Sequence, residues 1–411
     1  MKKTMMAVAA GMAMGVAAAW GAGYGIYEGS ARGNALGSET TADPVSPSVM
    51  YNNPAGITEL PGTQVEGGAT FIKPSQTIVT DNGMGQTYTH GRSEWWMIPN
   101  AYVTHQMSEK FWMGMGLASR AGLGAEFPFD WAGRYSTQKA TITTLDATPT
   151  VAWKVCDRFS LAAGLMMEYF DFELRRAIPT GSPFVDPDLH LKLTGNNFEL
   201  GYVLGGYWKA TDWISFGASF ERLVDQAVKG EYELTDGMGR KLGDGTAHGN
   251  FPIPGKIRAG TSVKATENLK VNAGVVYTMW SAYDELTIHF DPALMGVRPS
   301  TSTPKNWHDA WRMQLGVEYA LTDSWDVRAG YVHDKTPDPD YLIDYMVPAN
   351  NRHLFSLGLG WHNEKVSVDV GYTFLLIDDR HVKGHLAEGV WDGRFEDGEA
   401  HMVSLGIGYK F

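Results

Sequence analysis

The 411-residue sequence is short of several things, and each shortage narrows its reading. Cys156 is its only cysteine, so no disulfide can form within the chain. That thiol reads as an inert side chain rather than a nucleophile. Cations are scarce: 34 Lys and Arg stand against 46 Asp and Glu, a formal net charge of −12. Nucleic acid is not expected as a partner for such a chain. Beyond residue 20 no apolar run reaches eighteen residues, which excludes helical membrane spans. Neither a G-x-S-x-G elbow nor an H-E-x-x-H pair occurs, so no catalytic residue, metal ligand or cofactor is assigned.

The chain does have 48 glycines and 12% aromatics, a composition that suits β-structure. It opens with "MKKTMMAVAAGMAMGVAAAWGA", in which Lys2 and Lys3 precede an apolar core too short to span a bilayer. Small residues at Ala19 and Gly21 mark a cleavage site, so residues 1–21 are expected to be a secretory signal.

Later segments alternate. "FSLAAGLMMEY" puts Phe159, Leu161, Ala163, Leu165, Met167 and Tyr169 on one face. "LKVNAGVVY", "WRMQLGVEY" and the closing "MVSLGIGYKF" repeat the pattern, with aromatic residues often at the ends of the apolar face. Their length fits the ~9–11 residues of a tilted membrane strand. A soluble sandwich would also alternate, but the export signal and the Gly-, Ser- and charge-rich opposite face favour a bacterial outer-membrane barrel. Tight polar turns fall at 108–110, 156–158, 211–212, 266–268, 322–324 and 363–365. Long polar stretches fall near 74–94, 124–137, 176–190, 225–251, 281–306, 334–351 and 378–399. Six short and seven long connections join fourteen strands, an even number with long loops on one side only. The fold expected is an all-β, fourteen-stranded antiparallel transmembrane barrel over residues 63–411. Phe411 ends its last strand, which pairs with the first and so leaves no edge in lipid.

Residues 22–62 lack alternation and carry Gly and Pro punctuation, with a turn at Asn53-Pro54. They form either a plug inside the lumen or a free periplasmic arm, and their apolar content favours the plug. This stretch, "AGYGIYEGSARGNALGS" followed by "MYNNPAG" with Asn53, Pro54 and Ala55, resembles the N-terminal hatch of the FadL/TodX family. The likeness continues in order through "IPNAYVTHQMSEKFWMGMGLASRAGLGAEF", "DWAGRY", "FPIPGKIRAGTSVKA" and "WRMQLGVEYALTDSWDVRAGYVHD". It implies a monomeric barrel plugged by a hatch. It also implies passive carriage of a hydrophobic small molecule, a long-chain fatty acid or an aromatic or aliphatic hydrocarbon, across the bacterial outer membrane. Partners would be that ligand, outer-membrane lipid, lipopolysaccharide and the barrel-assembly machinery. The family's third strand kinks inward and opens the wall. The matching stretch here, "SRAGLGAEF", holds Gly122 and Gly124, which permit a bulge or are two ordinary glycines of a glycine-rich chain.

Strand parity points Met166, Phe170, Phe172, Val276 and Trp280 into the lumen, as walls of an apolar pocket or as packing for the hatch. Lys270, Arg312 and Arg328 face the same way. They hold a ligand carboxylate, or they pair with Glu318, Asp326 or Asp369 in an internal charge network. Acidic loop segments such as "PDPDYLIDY" lack EF-hand spacing and read as solvated rather than calcium-binding. A general diffusion porin and an outer-membrane lipid hydrolase are the rival functions; the long N-terminal plug speaks against the first and the missing catalytic motifs against the second.

Overall fold

A computed structural model describes residues 23–180 and 188–411; the expected export signal lies outside them. Fourteen antiparallel strands close into one barrel. Seven run unbroken: β1 (Thr63–Asp81), β4 (Lys139–Cys156), β5 (Phe159–Pro179), β6 (Asp188–Lys209), β11 (Trp325–Asp334), β12 (Arg352–His362) and β14 (Asp392–Lys410). The others bend partway. They are β2 (Gln86–His90, Trp96–Gln106), β3 (Phe111–Ala118, Gly122–Glu126) and β7 (Ile214–Glu221, Val224–Asp236). The remaining four are β8 (Lys241–Ile253, Lys256–Lys264), β9 (Leu269–Thr278, Glu285–Leu294), β10 (Arg298–Pro304, Ala310–Thr322) and β13 (Val366–Ile377, Arg380–Val382).

Closure pairs β1 with β14 from Gln64↔Lys410 to Asp81↔Asp392, and the Phe411 amide donates to the Thr63 carbonyl at 3.0 Å. The outward face is apolar because lipid, not water, is its solvent. Leu161, Leu165, Leu204, Leu315, Leu357 and Leu405 are all exposed there. Trp208, Trp213, Trp325 and Phe411 are exposed near the short turns, as an interfacial aromatic belt requires.

The long connections differ from the sequence reading. Residues 225–251 and 281–306 are mostly ladder, not loop: β7 pairs β8 from Val224↔Ile253 to Thr235↔Lys241. These strands continue past the bilayer into water, where their outward positions turn polar and the alternating signal disappears. Two other connections are true loops. Residues 127–138 fold over the wall, and residues 335–351 fold into the barrel mouth, burying Ile343, Tyr345, Val347 and Ala349.

Residues 23–62 fill the lumen and are almost wholly buried. Helix α1 (Ala31–Ala35) starts at Ser30, whose hydroxyl accepts from the Gly33 amide at 3.0 Å. Helix α2 (Val49–Asn52) leads into a 3-10 turn (Pro54–Glu59). Asn53 ties that turn to the wall: its Oδ1 accepts from the Ala55 amide at 3.1 Å and its Nδ2 donates to the Gly206 carbonyl at 2.9 Å. The plug's backbone lies directly on the wall. A Cβ at Gly217 would stand 2.0 Å from the Thr41 carbonyl, and one at Gly330 would stand 2.2 Å from the Gly37 amide. Only glycine permits that approach.

Candidate functional site

The lumen has two chemically distinct halves. Near the short turns, charge binds the plug to the wall. Arg32 of α1 reaches Asp43 at 2.5 Å and Glu318 of β10 at 3.0 Å. Lys270 of β9 bridges the same two carboxylates at 3.0 and 3.1 Å. Arg328 of β11 pairs with Glu318 at 2.6 Å, Asp369 at 2.5 Å and Asp326 at 3.3 Å. Three cations thus share four carboxylates, which satisfies buried groups that would be costly alone.

Farther up, the lining becomes aromatic. Tyr24 stands among Trp280, Phe251, Trp307 and Tyr283, with ring centroids at 4.7, 4.9, 5.6 and 5.7 Å. Its hydroxyl donates to the Pro252 carbonyl at 2.5 Å. Phe170 and Phe172 of β5 flank Phe251 at 5.4 and 5.8 Å. Met346 and Val347 of the 335–351 loop cover this cluster from above. An apolar cavity of about 40 Å³ opens beside it, lined by Phe172, Leu193, Val228, Ala247, Phe251 and Leu286. Four steps farther along β5 from Phe172 lies Arg176, half-buried, with Leu191 as its cross-strand partner. Arg176 has no hydrogen-bond partner for its Nε, and among the described residues no carboxylate lies within ion-pairing reach.

The wall beside the cluster is interrupted. Between β2 and β3 the ladder runs only from Gln106↔Trp112 to Ala101↔Leu117. Above that, Trp96 to Asn100 pair with β1 alone, and Gly122 to Glu126 pair with β4 alone. Residues Ser119–Ala121 turn inward as a bulge: four steps of β3, from Ala118 to Gly122, face three of β4, from Asp146 to Thr143. The Thr144 hydroxyl replaces ladder partners there, accepting from the Ala121 amide at 3.1 Å and donating to the Ala121 carbonyl at 2.7 Å. The plug takes the freed backbone: the Ile26 amide donates to the Arg120 carbonyl at 3.0 Å and the Gly122 amide to the Tyr24 carbonyl at 2.8 Å.

A plugged fourteen-stranded barrel with an apolar upper lumen is matched by a known family. The family described as "Outer membrane protein transport protein (OMPP1/FadL/TodX)" aligns with residues 12–411. The chain belongs to that family. The FadL/TodX proteins are transporters and channels of the bacterial outer membrane, and that is where this protein resides. The long-chain fatty acid transport protein of Escherichia coli O6:H1 is 23% identical over 404 residues, covering 88% of each chain. A crystal structure of a Pseudomonas aeruginosa FadL homologue superposes with a TM-score of 0.84 at 20% identity, over 95% of this chain and 100% of that one. The P. putida toluene transporter TodX gives 0.74 at 16% identity, over 95% and 99%. At these identities the two structures establish the FadL/TodX fold alone.

Within that fold the residues singled out by sequence are distributed as follows. Phe170, Phe172 and Trp280 are members of the aromatic cluster; Met166 and Val276 are buried outside it. Trp280 also packs on the hatch, since a Cβ at Gly23 would stand 2.5 Å from its ring. Lys270 and Arg328 are engaged by carboxylates as described, and Arg312 pairs with Asp334 at 2.8 Å. Gly122 begins the resumed run of β3, one residue after the bulge, and Gly124 pairs with Thr141. Sequence reasoning missed Tyr24, Phe251, Tyr283, Trp307 and Arg176. Phe251 ends the 225–251 stretch that reads as loop, and the unsatisfied Nε of Arg176 has no sequence signal.

Proposed function

We propose that this protein admits long-chain carboxylates passively across the outer membrane. The ligand enters past the 335–351 loop and takes the place of Tyr24 in the aromatic cluster. Its carboxylate rests on Arg176 and it leaves sideways between β2 and β3. The observation that carries the reading is the division of the lumen. The apolar half lies level with the unpaired edges of β2 and β3, while the way down is blocked by buried ion pairs.

An apolar chain gains nothing among desolvated salt bridges. In the aromatic cluster, burying roughly 300 Å² of hydrocarbon gains about 7 kcal/mol before ordering costs. That supports micromolar capture, weak enough to release into lipid. Arg176 favours a carboxylate over a hydrocarbon, because no carboxylate among the described residues lies within ion-pairing reach of its guanidinium. Four steps along β5 separate Arg176 from Phe172, about 13 Å, the reach of roughly ten methylenes. Diffusion needs no energy coupling, with consumption inside the cell maintaining the gradient.

The test is uptake of radiolabelled oleate and toluene by cells carrying Gly122→Val/Gly124→Val, with surface level checked. Side chains at both positions should stiffen the bend and lower uptake without loss of assembly. Undiminished uptake of both compounds would overturn the sideways exit in favour of a path through the hatch. Rapid entry of sugars into liposomes containing the intact protein would instead make it a diffusion porin.

A further inference from the structure

A cleft of about 740 Å³ opens on the outer surface. It lies between the 127–138 loop and the outward face of β4 to β7. Its floor is a row of cross-strand neighbours: Lys139 of β4 opposite Arg175 of β5, and Arg175 opposite Lys192 of β6. Like charges placed directly opposite one another destabilise a sheet. Three in succession, in a chain with twelve more acids than bases, call for an external anion.

The protein's own carboxylates do not balance the row. Lys139 and Arg175 share one acid, Glu173, at 3.1 and 2.6 Å. Lys192 has no carboxylate within ion-pairing reach among the described residues, since Glu233 opposite it lies 3.9 Å from Lys241 instead. Arg92 faces the cleft from the other side, held by Glu94 and Glu126 at 2.6 and 2.8 Å. Above the row Phe129 is 61% exposed, its ring centroid 4.1 Å from that of His190 with the planes tilted by 32°.

The height of the row identifies the occupant. On β4, β5 and β6 the last apolar outward residues are Leu145, Tyr169 and Phe198. Lys139, Arg175 and Lys192 each lie six residues farther along. At about 2.4 Å of height per residue in a strand tilted by ~45°, all three stand about 14 Å above the hydrocarbon. In a bacterial outer membrane that layer consists of phosphorylated sugars.

We propose that this cleft binds the phosphorylated headgroup of one lipopolysaccharide molecule, with Lys139, Arg175 and Lys192 on its phosphates and Phe129 against its sugar face. Three exposed charge contacts of about half a kcal/mol each give roughly a tenfold preference for the phosphorylated form. The preference should weaken with added salt.

The experiment measures binding of a deep-rough lipopolysaccharide, and of the same glycolipid after phosphatase treatment, to detergent-purified full-length protein. The intact protein should bind the phosphorylated form about tenfold more tightly. Lys139→Gln/Arg175→Gln/Lys192→Gln should abolish that difference while heat-modifiable migration and oleate binding persist. If the triple variant does not fold, Lys192→Gln alone should lose about twofold, since this cation has no carboxylate partner among the described residues to leave behind. Equal affinity of the intact protein for the two glycolipids, or an undiminished preference in the folded triple variant or in Lys192→Gln, would overturn the proposal.

Discussion

Replacing Arg32 with methionine should loosen the hatch without disturbing the barrel. Methionine keeps most of the apolar stem and removes the guanidinium that joins α1 to Glu318 and, within the hatch, to Asp43. Removing one partner of a buried pair typically costs about 3–5 kcal/mol because the other charge is left uncompensated. Here the loss is smaller. Glu318 keeps Lys270 and Arg328, and Asp43 keeps Lys270 at 3.0 Å. About 2 kcal/mol is then a reasonable figure, a rise of roughly thirtyfold in the population of unseated hatch. Unseating opens a water path through the lumen, so the assay is single-channel recording in planar bilayers. The Arg32→Met protein should show brief openings about thirtyfold more often than the intact protein, at unchanged thermal stability of the barrel. An opening frequency equal to that of the intact protein, in a variant whose insertion is confirmed, would refute the view that these ion pairs hold the plug.

Three further outcomes are expected. Leu405 of β14 is 49% exposed to lipid, six residues from the chain end and near mid-bilayer, so Leu405→Arg should cost about 2–4 kcal/mol in urea-titrated folding into vesicles. Its neighbour Ser404 is no neutral control, because its hydroxyl accepts from Asn34 of the hatch at 2.8 Å. Arg176→Gln should weaken oleate binding about tenfold, the worth of one charge-assisted hydrogen bond, and leave toluene binding unchanged; equal loss for both would deny Arg176 the carboxylate. In the mouth loop, burial pushes the Asp338 carboxyl up to about 7, against the opposing pull of Arg380. A folded-state value raised from 3.8 means that the docked loop binds the proton more tightly, so docking weakens as pH rises from about 4 to about 7 and is level above. Hydrogen exchange of amides 339–349, corrected for intrinsic rate, should show more protection at pH 5 than at pH 8, and the reverse order would contradict the assignment.

The membrane-spanning wall was legible because lipid imposes a period of two that nothing else in the sequence mimics over so many segments. Leu161, Leu165 and Leu405 announce their face by spacing alone. The tight turns were legible through clustered polar residues. Above the bilayer the outward positions turn polar, so residues 225–251 looked like loop although they form a long hairpin whose inner face buries Tyr232, Leu234 and Ala247. The bulge of β3 was only half visible. Gly122 marked the neighbourhood, but the turn itself is made by Ser119–Ala121 and held by Thr144, a residue of another strand with no local peculiarity. The fates of Lys270, Arg312 and Arg328 were undecidable in one dimension. Whether an inward cation is engaged depends on which carboxylate the closed barrel brings beside it, and Asp43 comes from the hatch while Asp334 comes from the next strand.

The ladder that shuts the barrel also sets a timetable. Its lowest rung joins Gln64 to Lys410, so the partner of the first strand is made after every other strand of the barrel. At roughly 5–20 residues per second, the 345 residues between them take about 17–70 s to synthesise. Throughout that interval the backbone donors and acceptors of one side of β1 have no native neighbour. A bare strand edge recruits any other extended chain it meets. Closure of this barrel therefore waits for β14, whichever order the other strands pair in.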